Sequence, residues 1–405
     1  MISKKNFIFT VLALCFLAGC SGSSSGPIPL ANPAGEYSQF PFLYSTDNAL
    51  YMSWIEGESA EKSLRYARYA DGNWNEPVTI AADSGWFVNW ADFPSIIAND
   101  NGPIAAHWLN KKTGGTYAYD VNIAVPQPTG EWSSAITPHH DSTATEHGFV
   151  SMIPWHNNTI LAVWLDGRQT AGASGKELYD LNNAMTLRAA IISEEGTVEK
   201  SFLIDNSVCD CCQTSLVKTS DGALVAYRNR TDNEIRDIYV SRFDDQSWSQ
   251  PKVIYEDDWN IGACPVNGPA LASSASTVVA GWHTGANDSP SVKLASSTDG
   301  GRSFKNVKTI NTNESVGRVD AVIHNGTTYI SWMERKSGKT QLRVSSLDDQ
   351  NKKEKTITVD TIKGARKSGF PQMEVMNNQL FFAWTKADST SPKITTKRIL
   401  LPLGK

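Results

Sequence analysis

Two cysteine-bearing stretches and a run of arginines are the places where this chain could do chemistry. The first stretch is Cys209-Asp-Cys-Cys-Gln-Thr-Ser215, which holds Cys209, Cys211 and Cys212; the second holds Cys264. Three chemistries fit four thiols at this spacing. A disulfide from Cys264 to one of the other three would close a loop of about 50 residues, and four cysteines allow three pairings. A metal site would use the thiolates with His147 or His283, a soft and borderline donor set suited to copper or zinc. A catalytic thiol would take His147 as its base.

The arginines follow closely. In Tyr227-Arg-Asn-Arg-Thr-Asp-Asn-Glu-Ile-Arg-Asp237, Arg228 and Arg230 stand two apart in an extended segment, so they point to one side. A planar fork of N–H donors suits a carboxylate, sulfate or phosphate. The competing reading pairs them with Asp232, Glu234 and Asp237 as an internal network.

These residues must be positioned by a scaffold, and the scaffold is a repeat. Tyr51-Met-Ser-Trp54, Ala105-Ala-His-Trp108, Leu161-Ala-Val-Trp164, Leu224-Val-Ala-Tyr227, Val279-Ala-Gly-Trp282, Tyr329-Ile-Ser-Trp332 and Phe381-Phe-Ala-Trp384 are short apolar runs ending in a ring. They recur at about 50 to 63 residues, a period of stacked or radial repeats. An apolar stretch lies upstream of each, and an alternating strand and a turn lie downstream, which makes four short strands per repeat. The fold expected is all-β: a β-propeller of seven four-stranded blades, with six as the alternative. The last repeat shows only three strands, and the amino-terminal segment is expected to supply the fourth and close the ring, removing exposed edges.

This topology brings the start of each first strand and the loop after each second strand to one rim. Asp92, Glu146, His147, the cysteines, Arg318 and Asp320 then precede first strands. Glu56, Asp166 with Arg168, Arg228 with Arg230, His283, Glu334 and Lys386 follow second strands. Convergent polar groups around a concave pore mark a ligand site. Arg168, Arg228, Arg230, Arg318, His147, His283 and Glu334 are its candidate binding residues. His139 and His140 read as solvated loop.

The amino terminus is a targeting segment. Lys4 and Lys5 precede an apolar stretch from Phe7 to Phe16, and Leu17-Ala-Gly-Cys20 resembles the lipobox of bacterial lipoproteins. The resemblance implies a signal peptide over 1–19, lipid on Cys20, a flexible tether over 20–36 and a propeller over 37–405. Ser21, rather than Asp, points to the outer membrane, facing the periplasm or the cell surface. In that oxidising setting disulfides persist. The net charge is −5 with scattered Lys and Arg, so no nucleic-acid surface is expected, and contact with membrane comes through the anchor alone. The chain is expected to be monomeric.

Ser297-Thr-Asp299-Gly-Gly301-Arg-Ser-Phe304 is similar to the Asp box, Ser-x-Asp-x-Gly-x-x-aromatic, of sialidases and related BNR-repeat propellers. That resemblance implies the propeller from about 40 to 400. It also implies an exo-glycosidase site in which Arg168, Arg230 and Arg318 meet a substrate carboxylate. Glu234 would partner the nucleophile, and Asp92 or Asp166 would be the acid; these three carboxylates are the catalytic candidates. At the family's amino-terminal Arg-Ile-Pro position this chain reads Phe40-Pro-Phe42. The expected ligand is an anionic glycan, with or without turnover. A protein with a Cys/His copper or zinc centre is the alternative.

Overall fold

The structure, a computed structural model, describes residues 26–363, 366–387 and 391–403. The expected signal peptide and lipobox, with Cys20, lie outside these residues. Seven antiparallel sheets follow one another along the chain. Their second strands, from Leu50–Glu56 in blade 1 to Gln379–Lys386 in blade 7, are the recurring apolar runs of the sequence.

These strands do not alternate between apolar and polar because both of their faces are covered. The terminal ring of each blade packs onto the blade before it. Trp164 sits among Ile97, Ala105 and Tyr119 of blade 2. Trp282 lies against Leu224 and Ala226 of blade 4, Trp332 against Val279 of blade 5, and Trp54 against Phe381 and Ala383 of blade 7. The blades approach closely. A Cβ on Gly281 would meet Ile330 Cδ1 at 2.8 Å, so any larger residue there would have to displace the Ile330 side chain of the next blade.

The ring closes as expected. Ile28–Pro29 pairs antiparallel with Lys393–Leu400, placing the amino-terminal strand outermost in blade 7, where a tether alone would have no partner. Blade 2 departs from the plan: its strands Ser95–Asn99, Gly102–Lys111 and Tyr119–Ala124 form the sheet, and only single bridges at Ile136 and Trp132 stand in fourth position. The stretch after Trp164-Leu-Asp-Gly-Arg168 is an insertion of three short 3-10 turns, Arg168–Thr170, Gly175–Tyr179 and Leu181–Asn183.

First strands line the central channel, a cavity of about 620 Å³ whose wall includes Asp92, Lys218, Asp320 and Glu374. In blades 1, 3 and 6 this strand carries a bulge in which a non-glycine residue takes positive φ: Phe40 (53°), Phe149 (54°) and Arg318 (55°). Each freed backbone N–H finds a side chain from another blade. Phe40 donates to Thr385 Oγ1, Phe149 to Asp92 Oδ1 and Arg318 to Asn267 Oδ1, each at 2.8 Å. On the opposite face, the Ser297–Phe304 turn is held by Gly301 N donating to Ser297 Oγ (2.9 Å) and Ser303 N to Asp299 Oδ1 (2.9 Å). Among the described residues no helix is long and apolar enough to cross a membrane.

Candidate functional site

Several of the rim carboxylates turn out to be internal braces. The indole Nε1 of Trp54 donates to Glu56 Oε2 (2.8 Å), that of Trp164 to Asp166 Oδ2 (2.9 Å) and that of Trp332 to Glu334 Oε2 (3.0 Å). The residue opposite each Trp on the third strand is basic: Arg65, Arg188 and Arg343 in register. Arg65 pairs with Glu56 at 2.8 Å, and Arg343 stands 3.5 Å from Glu334. Blade 5 builds the same brace from Trp282, Asp257 and Lys293. Glu334 and Asp166 are fully buried. Burial opposes their ionisation, but the indole and cationic partners outweigh it and hold both below the usual carboxylate range.

The expected arginine set is largely engaged from within. Arg228 donates to the carbonyls of Asn267 (2.9 Å), His283 (2.8 Å) and Arg236, under the Trp259 ring. Arg230 forks onto Glu234 and reaches Leu178 O in the insertion at 2.8 Å. Glu234 also takes Arg236 at 2.7 Å, so the network reading describes this segment. Arg318 lies over Trp90 and Phe370 and donates to Gly369 O. Of the four, Arg168 keeps the most open guanidinium: its side chain is 26% exposed while bound to Asp166 (2.7 Å) and Asp141 (3.2 Å). His283 is buried on Ser315 Oγ (3.0 Å) and pushed down to about 3 by burial and Arg228, so it stays neutral.

His147 is also buried. Its Nδ1 faces the carbonyls of Thr145 (3.2 Å) and Tyr119 (3.3 Å), and its Nε2 lies 3.2 Å from Asp141 Oδ2. His139, expected on the surface, is buried and stacks on His147 at 3.9 Å; burial and its neighbour push it down to about 4. Asp141, His147 and Asp166 offer donor atoms within 4.8 Å of one another. The Arg168 guanidinium already lies against both carboxylates, so the charge that would draw a cation there is met by the chain itself.

Beside this group runs a chain of three oxygens that the sequence did not reveal. Tyr119 Oη stands 2.6 Å from Glu146 Oε1 and 3.0 Å from Asp92 Oδ2. A phenol has one proton to give, so both contacts are satisfied only if one carboxyl is protonated and donates to the phenolic oxygen. Burial agrees: with Asp92 and Asp210 nearby it pushes Glu146 up to about 8, against the Tyr119 hydrogen bond. Asp92 is pushed up to about 7 by burial, and Tyr119 well above its ordinary value. Asp92 lines the channel and has no exposed face, while Glu146 is partly open at the rim. Gly148 makes this possible, since a Cβ there would lie 1.9 Å from Asp92 Oδ2. The sequence had placed Asp92 and Glu146 before first strands. Tyr119, 27 residues from each, was invisible without the fold.

The cysteines converge as the blade topology required. Cys209, Cys211 and Cys212 hold their sulfurs within 4.8 Å of one another, with Cys209 and Cys212 at 3.2 Å. Cys264 is exposed and within hydrogen-bonding reach of Cys211. All four stand as free thiols in this structure, where a disulfide was the first expectation. Neither His147 nor His283 falls in the sulfur group.

Fold and site together define a seven-bladed β-propeller with a polar rim over blades 2 to 5. No family model matches the chain, and no curated protein matches it. Solved structures do. A protein of unknown function from Dyadobacter fermentans aligns with TM-score 0.50 and 12% identity, over 93% of this chain and 98% of that one. A polysaccharide lyase of family PL25, an ulvan lyase bound to -[GlcA(1-4)Rha3S]-, aligns with TM-score 0.51 and 12% identity, over 92% and 94%. The phage phi92 endosialidase aligns at TM-score 0.47 and 11% identity, over 94% and 70%. At such identities the likeness is one of fold.

Proposed function

We propose that this chain is an exported, lipid-anchored propeller of the outer membrane that takes an anionic glycan on the rim over blades 2 and 3. Glu146 is the proton donor of that site. The observation that carries this reading is the Glu146–Tyr119–Asp92 chain: a carboxyl kept protonated near neutral pH yet partly open at the rim is the arrangement a general acid needs. Asp92 and Tyr119 act as positioning residues, because both are closed to solvent. Arg168, the open guanidinium of the four, meets the acidic group of the sugar. A fold similar to that of an ulvan lyase bound to -[GlcA(1-4)Rha3S]-, a sulfated, uronic-acid-containing glycan, supports the choice of an anionic glycan.

The test is a screen of the propeller against uronic-acid-containing, sulfated and sialylated glycans, reading both binding and release of reducing or unsaturated ends. Binding that weakens in Arg168→Ala, with turnover lost in Glu146→Gln, is the expected result. Binding without turnover in the wild-type protein would reduce the chain to a glycan-holding scaffold. Absence of both across the screen would refute the reading.

A further inference from the structure

The sulfur group is left unused by the glycan site. We propose that Cys209, Cys211 and Cys212, with Cys264 at the opening, form a thiolate site for one thiophilic d10 cation of the Cu(I) or Zn(II) class. The geometry is that of a single ion. With metal–sulfur bonds of about 2.3 Å, three sulfur ligands of one ion lie about 3.8 to 4.0 Å apart. The three sulfurs fall within 4.8 Å of one another and Cys209 and Cys212 stand at 3.2 Å, so changes of under about 1 Å in their spacing seat the ion.

Ligand type points the same way. The group holds sulfur alone, with no imidazole or carboxylate oxygen in it, and all-sulfur sets select soft ions over magnesium, calcium or manganese. Ligation replaces each coordinating thiol proton by the metal bond and releases the proton to water. Three thiolates on a monovalent ion leave a net charge of −2. Arg236, whose Nη1 stands 3.4 Å from Cys209 Sγ, is placed to offset it.

The second loop is held against the first before any ion arrives. Gly268 donates its N–H to Gln213 Oε1 (3.1 Å) and approaches so closely that a Cβ would sit 2.0 Å from Gln213 O. Asn267 O accepts from Arg228 Nη2 at 2.9 Å. Between Cys264 and that anchor, Val266 takes φ of +48°, a conformation a β-branched side chain resists and surrounding structure must impose. Cys209 and Cys212 are buried at the floor while Cys264 is exposed, which leaves an entry path from solvent.

The test uses the reduced full-length chain in detergent, titrated without oxygen with Cu(I) against a chromogenic chelator and, separately, with Zn(II). One equivalent of either ion is expected to be retained, with loss of affinity on the order of tenfold or more in Cys209→Ser and Cys212→Ser. Should those variants misfold, wild-type labelling decides. Bound ion should slow alkylation of Cys209, Cys211 and Cys212, and a chelator should restore it. No retained equivalent, or labelling indifferent to the ion, overturns the proposal. So does mass mapping that finds Cys264 bridged to the 209–212 segment in protein isolated without reductant. Failure here leaves the glycan reading untouched, because that rests on Glu146.

Discussion

Replacing Glu334 by leucine separates a brace from a ligand-binding residue. Glu334 is fully buried and accepts from Trp332 Nε1 (3.0 Å), Asn313 Nδ2 (2.9 Å) and the Thr312 backbone, with Arg343 Nε at 3.5 Å. Leucine would leave the buried indole N–H without its acceptor and the Arg343 guanidinium without its counter-charge, and would take one acceptor from the Asn313 amide. Removing one partner of a buried ion pair costs about 3–5 kcal/mol, and a stranded neutral donor about 1–3 kcal/mol. The contributions overlap, so the expected loss for Glu334→Leu is about 3–5 kcal/mol. Glu334→Gln keeps an acceptor for Trp332 but sets an NH2 against the Asn313 amide and loses the charge facing Arg343, for about 1–3 kcal/mol. Urea unfolding followed by tryptophan fluorescence and by circular dichroism, with coincident transitions, measures both. The sign with pH is also fixed. Glu334 is held below its ordinary value, so its contribution is present at neutral pH and is lost as pH falls through the depressed native value. A Glu334→Leu protein within about 0.5 kcal/mol of wild type, as for a surface change, would refute the brace.

Buried acids predict the opposite trend elsewhere in the molecule. Glu146 and Asp320 are pushed up to about 8, Asp92 and Glu374 to about 7, by burial, so the native state holds protons that the unfolded chain releases. Their share of stability is present at low pH and declines as pH rises through about 8, and Glu146→Gln should flatten that decline in urea midpoints taken from about pH 5 to about pH 9. A wild-type midpoint that rises across that range would contradict it. Cys20→Ala should leave an unprocessed or soluble precursor, and fractionation of that variant with the outer membrane would remove the anchor from the account.

The fold was legible because its signal is local. A second strand covered on both faces shows an unbroken apolar run with a ring at its end, and seven copies at one period declare the propeller. Even the closing strand could be anticipated from the shortage of a fourth strand in the last repeat. The site was legible only as a list of rim residues. Glu334 and Asp166 look like free carboxylates until the third strand sets Arg343 and Arg188 opposite their tryptophans. Asp92 was singled out for acid chemistry, yet its nearest work is to catch the Phe149 N–H across 57 residues. Glu146 keeps its proton because it is buried against a phenol carried by another blade, a contact that no spacing rule encodes. His139 reads as surface in a polar loop and is buried because that loop folds its ring onto His147.

The protonation of Glu146 tests the account most directly. Carbon-13 labelling of glutamate side chains, with Glu146→Gln to assign the resonance, follows the carboxyl through a pH titration of the folded propeller. A carboxyl still protonated at neutral pH and titrating near 8 is the expected result. Titration in the ordinary range of glutamate, around 4 to 5, would contradict it.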